Sequence, residues 1–299
     1  MNIVNRAIVN FVKLLPKSTV YFFAKKYVAG TRLQDAMNVA KDLNSKGILA
    51  TIDVLGEAIT NLDEAAETQK ACIEVLDAIE KNKVNSNLSI KPTSLGLAIN
   101  KDVCYTLVEG IVQKAAEYNN FVRIDMEDSP YTDLTIELYT KLHEKYPNVG
   151  IVVQAYLKRT YEDVENLNSL GTNYRLCKGI YVEPASIAYK SREDIRKNYI
   201  KILDKMLTDG NYVGIATHDE FLINKAYGML REKNVQEDKY EFQMLYGVRE
   251  DLRNKIVADG HKIRVYVPFG EKWYEYSMRR FQENPELAWY VAKSVFSFK

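Results

Sequence analysis

The sequence predicts a (β/α)8 barrel of the TIM type, a parallel α/β fold. Three observations carry that expectation. Eight short apolar, β-branched runs recur along the chain, each ending in or near a charged or hydroxyl-bearing residue, and each is followed by a polar stretch of helical pattern. Strands alternating with helices imply parallel crossovers, and eight such units are the number that closes a barrel. The 299 residues are 46% hydrophobic, enough for one large core, and carry no low-complexity linker, tandem repeat or second-domain signal.

Residues 1–44 form a helical extension. Before Asp35 there is no acidic residue, whereas Arg6, Lys13, Lys17, Lys25, Lys26 and Arg32 are basic. Ile3, Val4, Ala7, Ile8, Phe11, Val12, Leu14 and Leu15 share one helical face, and Pro16 and Ser18 break the pattern before VYFFAKKYVAG. A basic amphipathic helix can lie on an anionic membrane, but an apolar stripe is more often core, so packing on the barrel is the preferred reading. A transit peptide fits less well, because the segment is poor in Ser and Arg.

Residues 45–299 form the barrel domain. After a helix over Thr31–Lys46 comes the first strand, ILATIDV from Ile48, then a long helix over Glu57–Lys83 in which EAAETQKACIEVLDAIEKNK has a clear 3.6-residue period. The following strands are NLSIK to Lys91, FVRID to Asp125, GIVVQAY to Tyr156, YRLCKGIY to Tyr181, YVGIATH to His218, FQMLYG to Gly247 and IRVYVP to Pro268. Helices between and after them read as LTIELYTKLHEKY, YEDVENLNSL, REDIRKNYIKILDKMLTDG, DEFLINKAYGMLREKN and REDLRNKIVADG. The tail after Lys272 is a last helix, placed to close the active site. Barrel enzymes carry their chemistry at the C-terminal strand ends, which marks Lys91, Asp125, Gln154, Arg175, Lys178 and His218 by position.

Composition excludes several function classes. Lys and Arg number 41 against 40 Asp and Glu, so no global field recruits nucleic acid. Cys72, Cys104 and Cys177 lack CxxC or Cys/His spacing, and His143, His218 and His261 are scattered, so no metal site is expected and the thiols fit a reducing, cytoplasmic setting. No apolar run is long enough to span a bilayer. Neither GxGxxG after the first strand nor GxxxxGK[ST] is present, so a Rossmann turn and a P-loop are both absent.

Three residue sets remain. In RLCKGIYVEP, strand alternation puts Arg175 and Cys177 on one face and Leu176 and Lys178 on the other, while Gly179 permits close backbone approach. This is either a cradle for a planar ring or a phosphate, or a pair of cations neutralising barrel carboxylates. Thr217 and His218 end the sixth strand, where a hydroxyl and an imidazole can reach an anionic or amide-bearing ligand. Arg279 and Arg280 lie one turn beyond Tyr276, with Tyr266 ending the eighth strand. Two guanidiniums beside two aromatics suit a small apolar carboxylic acid.

These stretches, taken in order, resemble the proline dehydrogenases over about residues 45–290. The matching segments are SIK with Lys91, RIDMED with Asp125, VVQAYLKR with Gln154, YRLCKGIY with Arg175 to Tyr181, IATH with Thr217 and His218, EFQMLYG with Leu245, VYVPFG with Tyr266, and YSMRRFQEN with Tyr276, Arg279, Arg280 and Glu283. The resemblance implies an FAD enzyme that oxidises L-proline to Δ1-pyrroline-5-carboxylate by hydride transfer to flavin N5 and passes electrons to a membrane quinone. It implies a carboxylate clamp of Lys91, Arg279 and Arg280, with Tyr266, Tyr276 and Leu245 over the pyrrolidine ring. Met126, Gln154, Arg175, Lys178, Gly179, Ile180, Tyr181, Thr217, His218 and Glu283 take flavin-binding positions, Arg175 near N5. Asp125 orients its basic neighbours. Two positions depart from the family: Ile180 where Ala is common, and Asp219 where Asn is frequent.

Two rival readings stand beside this one. A lysine at a barrel strand end, Lys91 or Lys178, can form a Schiff base as in lyases and aldolases. A non-catalytic scaffold could use the basic N-terminal helix for peripheral membrane contact, although it would have no need of convergent cations.

Overall fold

The computed structural model describes residues 15–56 and 59–283. It is a closed barrel of eight parallel strands in sequence order, with the last strand paired to the first. The strands are β1 Leu49–Val54, β2 Ser86–Ile90, β3 Val122–Ile124, β4 Val149–Gln154, β5 Asn173–Cys177, β6 Tyr212–Ala216, β7 Tyr240–Leu245 and β8 Ile263–Phe269. Each overlaps its expected run, but the six strands from β2 to β7 end early, whereas β1 ends at Val54 as expected and β8 runs one residue past Pro268. Lys91, Asp125, Lys178 and Thr217 each stand immediately after their strand, at the mouth and not in the wall. At β5 the stop has a backbone reason: Gly179 has φ +102° and cannot continue a strand.

The helices are α1 Lys17–Ala24, α2 Leu33–Ser45, α3 Leu62–Asn82, α4 Lys101–Glu117, α5 Thr132–His143, α6 Thr160–Asn168, α7 Arg192–Thr208, α8 Glu220–Glu232, α9 Glu250–Ala258 and α10 Trp273–Glu283. Side-chain caps set several starts: Asn61 accepts from Glu64 N at 3.0 Å, Ser191 from Asp194 N at 3.0 Å, and Asp219 from Phe221 N at 3.3 Å. Helix α4 is not among the expected helices. Its KDVCYTLVEGIVQKAAE sequence mixes β-branched residues with an internal Gly110, and burial of Cys104, Val108, Ile111, Val112 and Ala115 overrides that weak propensity.

The strand faces divide sharply. One set, including Ile52, Leu88, Ile124, Ile151, Leu176, Ile215, Phe242 and Val265, joins the helices in one apolar core. The alternate set points into the barrel and is polar: Asp53, Ser89, Arg123, Arg175, Glu241, Gln243 and Arg264 are all buried or nearly so, with Arg175 bonded to Ser89 and Gln243, and Glu241 to Gln243 and Arg264. Glycine makes room for two of these crossings. A Cβ on Gly150 would fall 2.5 Å from Arg123 Nη1, and one on Gly214 would fall 2.4 Å from Gln243 Nε2.

Helix α2 packs on β8 and β1 and buries Ala36, Met37, Ala40 and Leu43 in the main core, so it belongs to the barrel wall. Helix α10, which follows β8, packs instead against α1, where Tyr21 and Trp273 rings lie 4.8 Å apart. The amphipathic stretch from Ile3 to Leu14 lies outside the described residues. No described helix is long and apolar enough to cross a membrane.

Candidate active site

The C-terminal mouth gathers side chains from five strands. Lys91, after β2, donates from Nζ to Asp53 Oδ1 of β1 at 2.8 Å, to Asp125 Oδ2 after β3 at 3.2 Å and to the Tyr266 hydroxyl of β8 at 3.0 Å. Tyr266 in turn donates to Asp125 Oδ2 at 2.9 Å. On the other oxygen, Asp125 Oδ1 accepts from Arg175 Nη1 of β5 at 2.8 Å and from Ser89 Oγ at 2.7 Å. Both cations flank the Tyr266 ring, Lys91 Nζ at 5.7 Å and Arg175 Cζ at 5.2 Å from its centre. Lys91 and Tyr266, 175 positions apart, thus meet on one carboxylate.

Electrostatics assign each group a state. Burial works against the Asp125 charge, but Lys91 and Arg175 outweigh it and hold the carboxyl below its usual range. Burial likewise opposes the Lys91 ammonium, and Asp53, Tyr266 and Asp125 overcome it, holding Lys91 well above its usual value. Asp53 is different: burial pushes it up to about 6 against the pull of Lys91, and its Oδ2 is buried with no hydrogen-bond partner. Tyr266 stays a hydroxyl, raised well above its usual value by burial and the two carboxylates. A Schiff base needs a free, neutral amine, which Lys91 is not. Burial does lower Lys178, but its ammonium sits 3.7 Å from Asp219.

Beyond this core the mouth is lined by the other expected positions. Gln154 is buried and donates to the Glu127 carbonyl at 2.8 Å. His218 Nε2 accepts from Leu245 N at 2.9 Å, which fixes the imidazole and ties β6 to β7. Met126 and Thr217 are buried, while Leu245 and Tyr181 are half-buried. Gly179 does allow a close approach, but its partner within the protein is the Tyr156 ring, 2.0 Å from where a Cβ would stand. Tyr276 is buried against Val28, Leu55 and Trp273. Arg279, Arg280 and Glu283 fall on helix α10, and their side chains lie outside the described residues.

The family departures have visible consequences. Asp219 is gripped by Arg196 at 2.6 and 2.9 Å, with Arg192 at 3.5 Å and Lys178 at 3.7 Å. Burial would raise it, but these cations bring it down to about 2. Three cations to one carboxylate leave a positive surplus beside Gly179, the charge that a dinucleotide's diphosphate would neutralise. Ile180 and Phe221 are each a little over two-fifths exposed there and Val182 is fully exposed, which offers apolar surface to a ring system. The donor set therefore fits a flavin dinucleotide. No group of three or more potential metal ligands occurs among the described residues.

Sequence reasoning overlooked several members of the network. Asp53 lies inside the first run, one residue before its end at Val54, so the strand-end rule that marks Asp125 passes over it. Ser89 and Gln243 carry no charge and left no signal except their inward register. Glu127 is buried, accepts from Thr93 N at 2.9 Å and from the Thr93 hydroxyl, and is raised by burial to about 7.

Residues 36–292 match the family model described as Proline dehydrogenase. The chain is 39% identical over 276 residues to "Proline dehydrogenase 2" of Bacillus subtilis, covering 92% of this chain and 89% of that protein. The chain belongs to the proline dehydrogenase family. "Proline dehydrogenase" of Deinococcus radiodurans is 34% identical over 289 residues, 95% of this chain and 93% of that one. Among solved structures, proline utilization A of Bdellovibrio bacteriovorus, inactivated by N-propargylglycine, superposes with a TM-score of 0.83 at 26% identity, covering 88% of this chain and 33% of that one. As a proline dehydrogenase the chain is an oxidoreductase of proline catabolism, built on the TIM barrel described above.

Proposed function

We propose that this proline dehydrogenase binds FAD at the C-terminal mouth and oxidises L-proline to Δ1-pyrroline-5-carboxylate, with a membrane quinone as electron acceptor. The observation that carries the reading is the convergence of Lys91, Asp125, Arg175 and Tyr266 at one end of the barrel. Lys91, with Arg279 and Arg280, takes the substrate carboxylate. To do so Lys91 must exchange one of its three partners, and Asp53, the carboxylate most easily protonated, is the one given up at least cost. Tyr266, Tyr276 and Leu245 pack against the pyrrolidine ring, and their low dielectric favours the neutral amine that oxidation requires.

Met126, Gln154, Lys178, Gly179, Ile180, Tyr181, Thr217, His218 and Glu283 hold the flavin, with Arg175 toward N5. Bound FAD supplies the hydride acceptor. The protein's own contribution is orientation and field: a clamped carboxylate fixes the ring, and the Arg175 cation stabilises the negative charge that builds up beside it. Asp125 holds both cations in place, and no side chain need act as nucleophile. The same reading puts the enzyme in the cytoplasm, meeting its quinone peripherally at the inner membrane face. The test is the visible spectrum of purified protein before and after anaerobic L-proline. Flavin absorption that bleaches with proline is expected, and a colourless protein that takes up no added FAD overturns the reading.

A further inference from the structure

Arg175 has three partners, and only one of them is a carboxylate. Nη1 donates to Asp125 Oδ1 at 2.8 Å and to Ser89 Oγ at 3.2 Å, while Nε donates to Gln243 Oε1 of β7 at 2.6 Å. Nη2 donates to none of the described residues. A guanidinium held on Nη1 alone can pivot about that contact; the second bond, on the opposite edge, removes the pivot and sets where Nη2 points.

Gln243 is itself held on both sides. Its Nε2 donates at 2.7 Å to Glu241 Oε1, which also accepts from Arg264 Nε at 2.6 Å. Arg264 is tied to the main chain through Ala50 O at 2.7 Å. The Glu241 carboxyl is kept below its usual range, against burial, chiefly by Arg264. Only one amide orientation fits this chain, with oxygen toward the arginine and nitrogen toward the carboxylate. The side chain reaches Arg175 by crossing the lumen over Gly214, where any Cβ would lie 2.4 Å from the amide nitrogen.

We propose that Gln243, seated over Gly214 and anchored by Glu241, is a positioning residue that aims the Arg175 guanidinium at the reacting centre. The inference rests on the place given to Arg175 in the proposed function. The Gln243→Leu variant keeps the volume and removes the acceptor. It should lower kcat about 10- to 100-fold, the usual consequence of a displaced catalytic group, while KM for proline changes less than about threefold and flavin content is unchanged. The reduction potential of its bound flavin should fall, because the cation is no longer fixed beside it.

Gln243→Glu keeps an acceptor for Arg175 and should restore kcat to within about fivefold of the parent, with a pH dependence the parent lacks, since two adjoining carboxyls share a proton. Gly214→Ala, which displaces the amide without altering it, should reproduce the Leu phenotype and serves if Gln243→Leu fails to fold. In an Arg175→Met background, Gln243→Leu should cost nothing further. If Arg175→Met lowers turnover but neither Gln243→Leu nor Gly214→Ala changes kcat per folded molecule or potential, this inference falls and the functional reading stands. If Arg175→Met itself turns over proline normally, the functional reading falls first.

Discussion

The barrel holds buried charge at both ends, and the two ends use it differently. At the N-terminal end Arg123 gives its guanidinium to the carbonyls of Ile151 and Asn173 at 3.1 and 2.5 Å and to the Asn173 side chain, and Arg264 divides its own between Glu241 and Ala50 O. At the C-terminal mouth the side-chain groups of Lys91, Arg175, Tyr266 and Asp125 bond to other side chains, with no main-chain partner among the described residues. Main-chain partners are fixed by the fold, whereas side-chain partners can be traded for a ligand. A cavity of about 540 Å³ does open at the N-terminal end, lined in part by Asn87, Arg123, Asn173, Tyr212 and Glu241. Its cations are spent on the barrel itself, so size alone does not mark the site.

That contrast can be broken from either side. The largest effect is expected at the mouth: Arg175→Met should lower kcat about 100- to 1000-fold, in the range of losing one preorganised donor, with little change in the denaturation midpoint. Steady-state kinetics paired with urea unfolding checks both halves. The mirror-image result is expected at the other end. Arg264→Met leaves Glu241 buried without its cation and should cost about 3–5 kcal/mol of stability by urea unfolding, while kcat per folded molecule stays within about tenfold.

A smaller effect sharpens the picture by pH. Burial raises the Glu127 carboxyl to about 7, above its unfolded value, so the folded state binds more protons between those limits. Its contribution to stability is therefore complete in mild acid and lost as pH rises through about 7. From pH 5 to 8 the parent should lose on the order of 2 kcal/mol relative to Glu127→Gln, read from unfolding midpoints in a pH series. Equal pH profiles for the two proteins would show that Glu127 is not the group responsible.

How much of this was legible in the sequence follows from what each residue type signals. Strand runs carry their own period, so all eight were readable, whereas helix α4 was hidden by Val-rich composition and Gly110. Charged residues ending a run announced themselves, and Lys91, Asp125 and Arg175 do meet. Their pairing partners did not, because partnership across a lumen depends on register. Arg175 pairs with Gly214 and Ala216 with Gln243, and those two alignments bring Gln243 within reach of Arg175. Gly214 reads as a weak spot in a strand until the amide lying across it is seen.

The seam between β8 and β1 is covered by α2, a helix that precedes every strand of the barrel. A nascent chain therefore makes the lid for its final joint before any stave exists, and must keep that apolar lid from aggregating until the last stave arrives. Closure then joins the earliest and latest parts of the domain in a single long-range event, the slow kind in which loop-closure entropy is spent before contacts repay it. The reward is topological: with the seam already roofed, the helix that follows the last strand is released from wall duty and can be spent on the doorway instead.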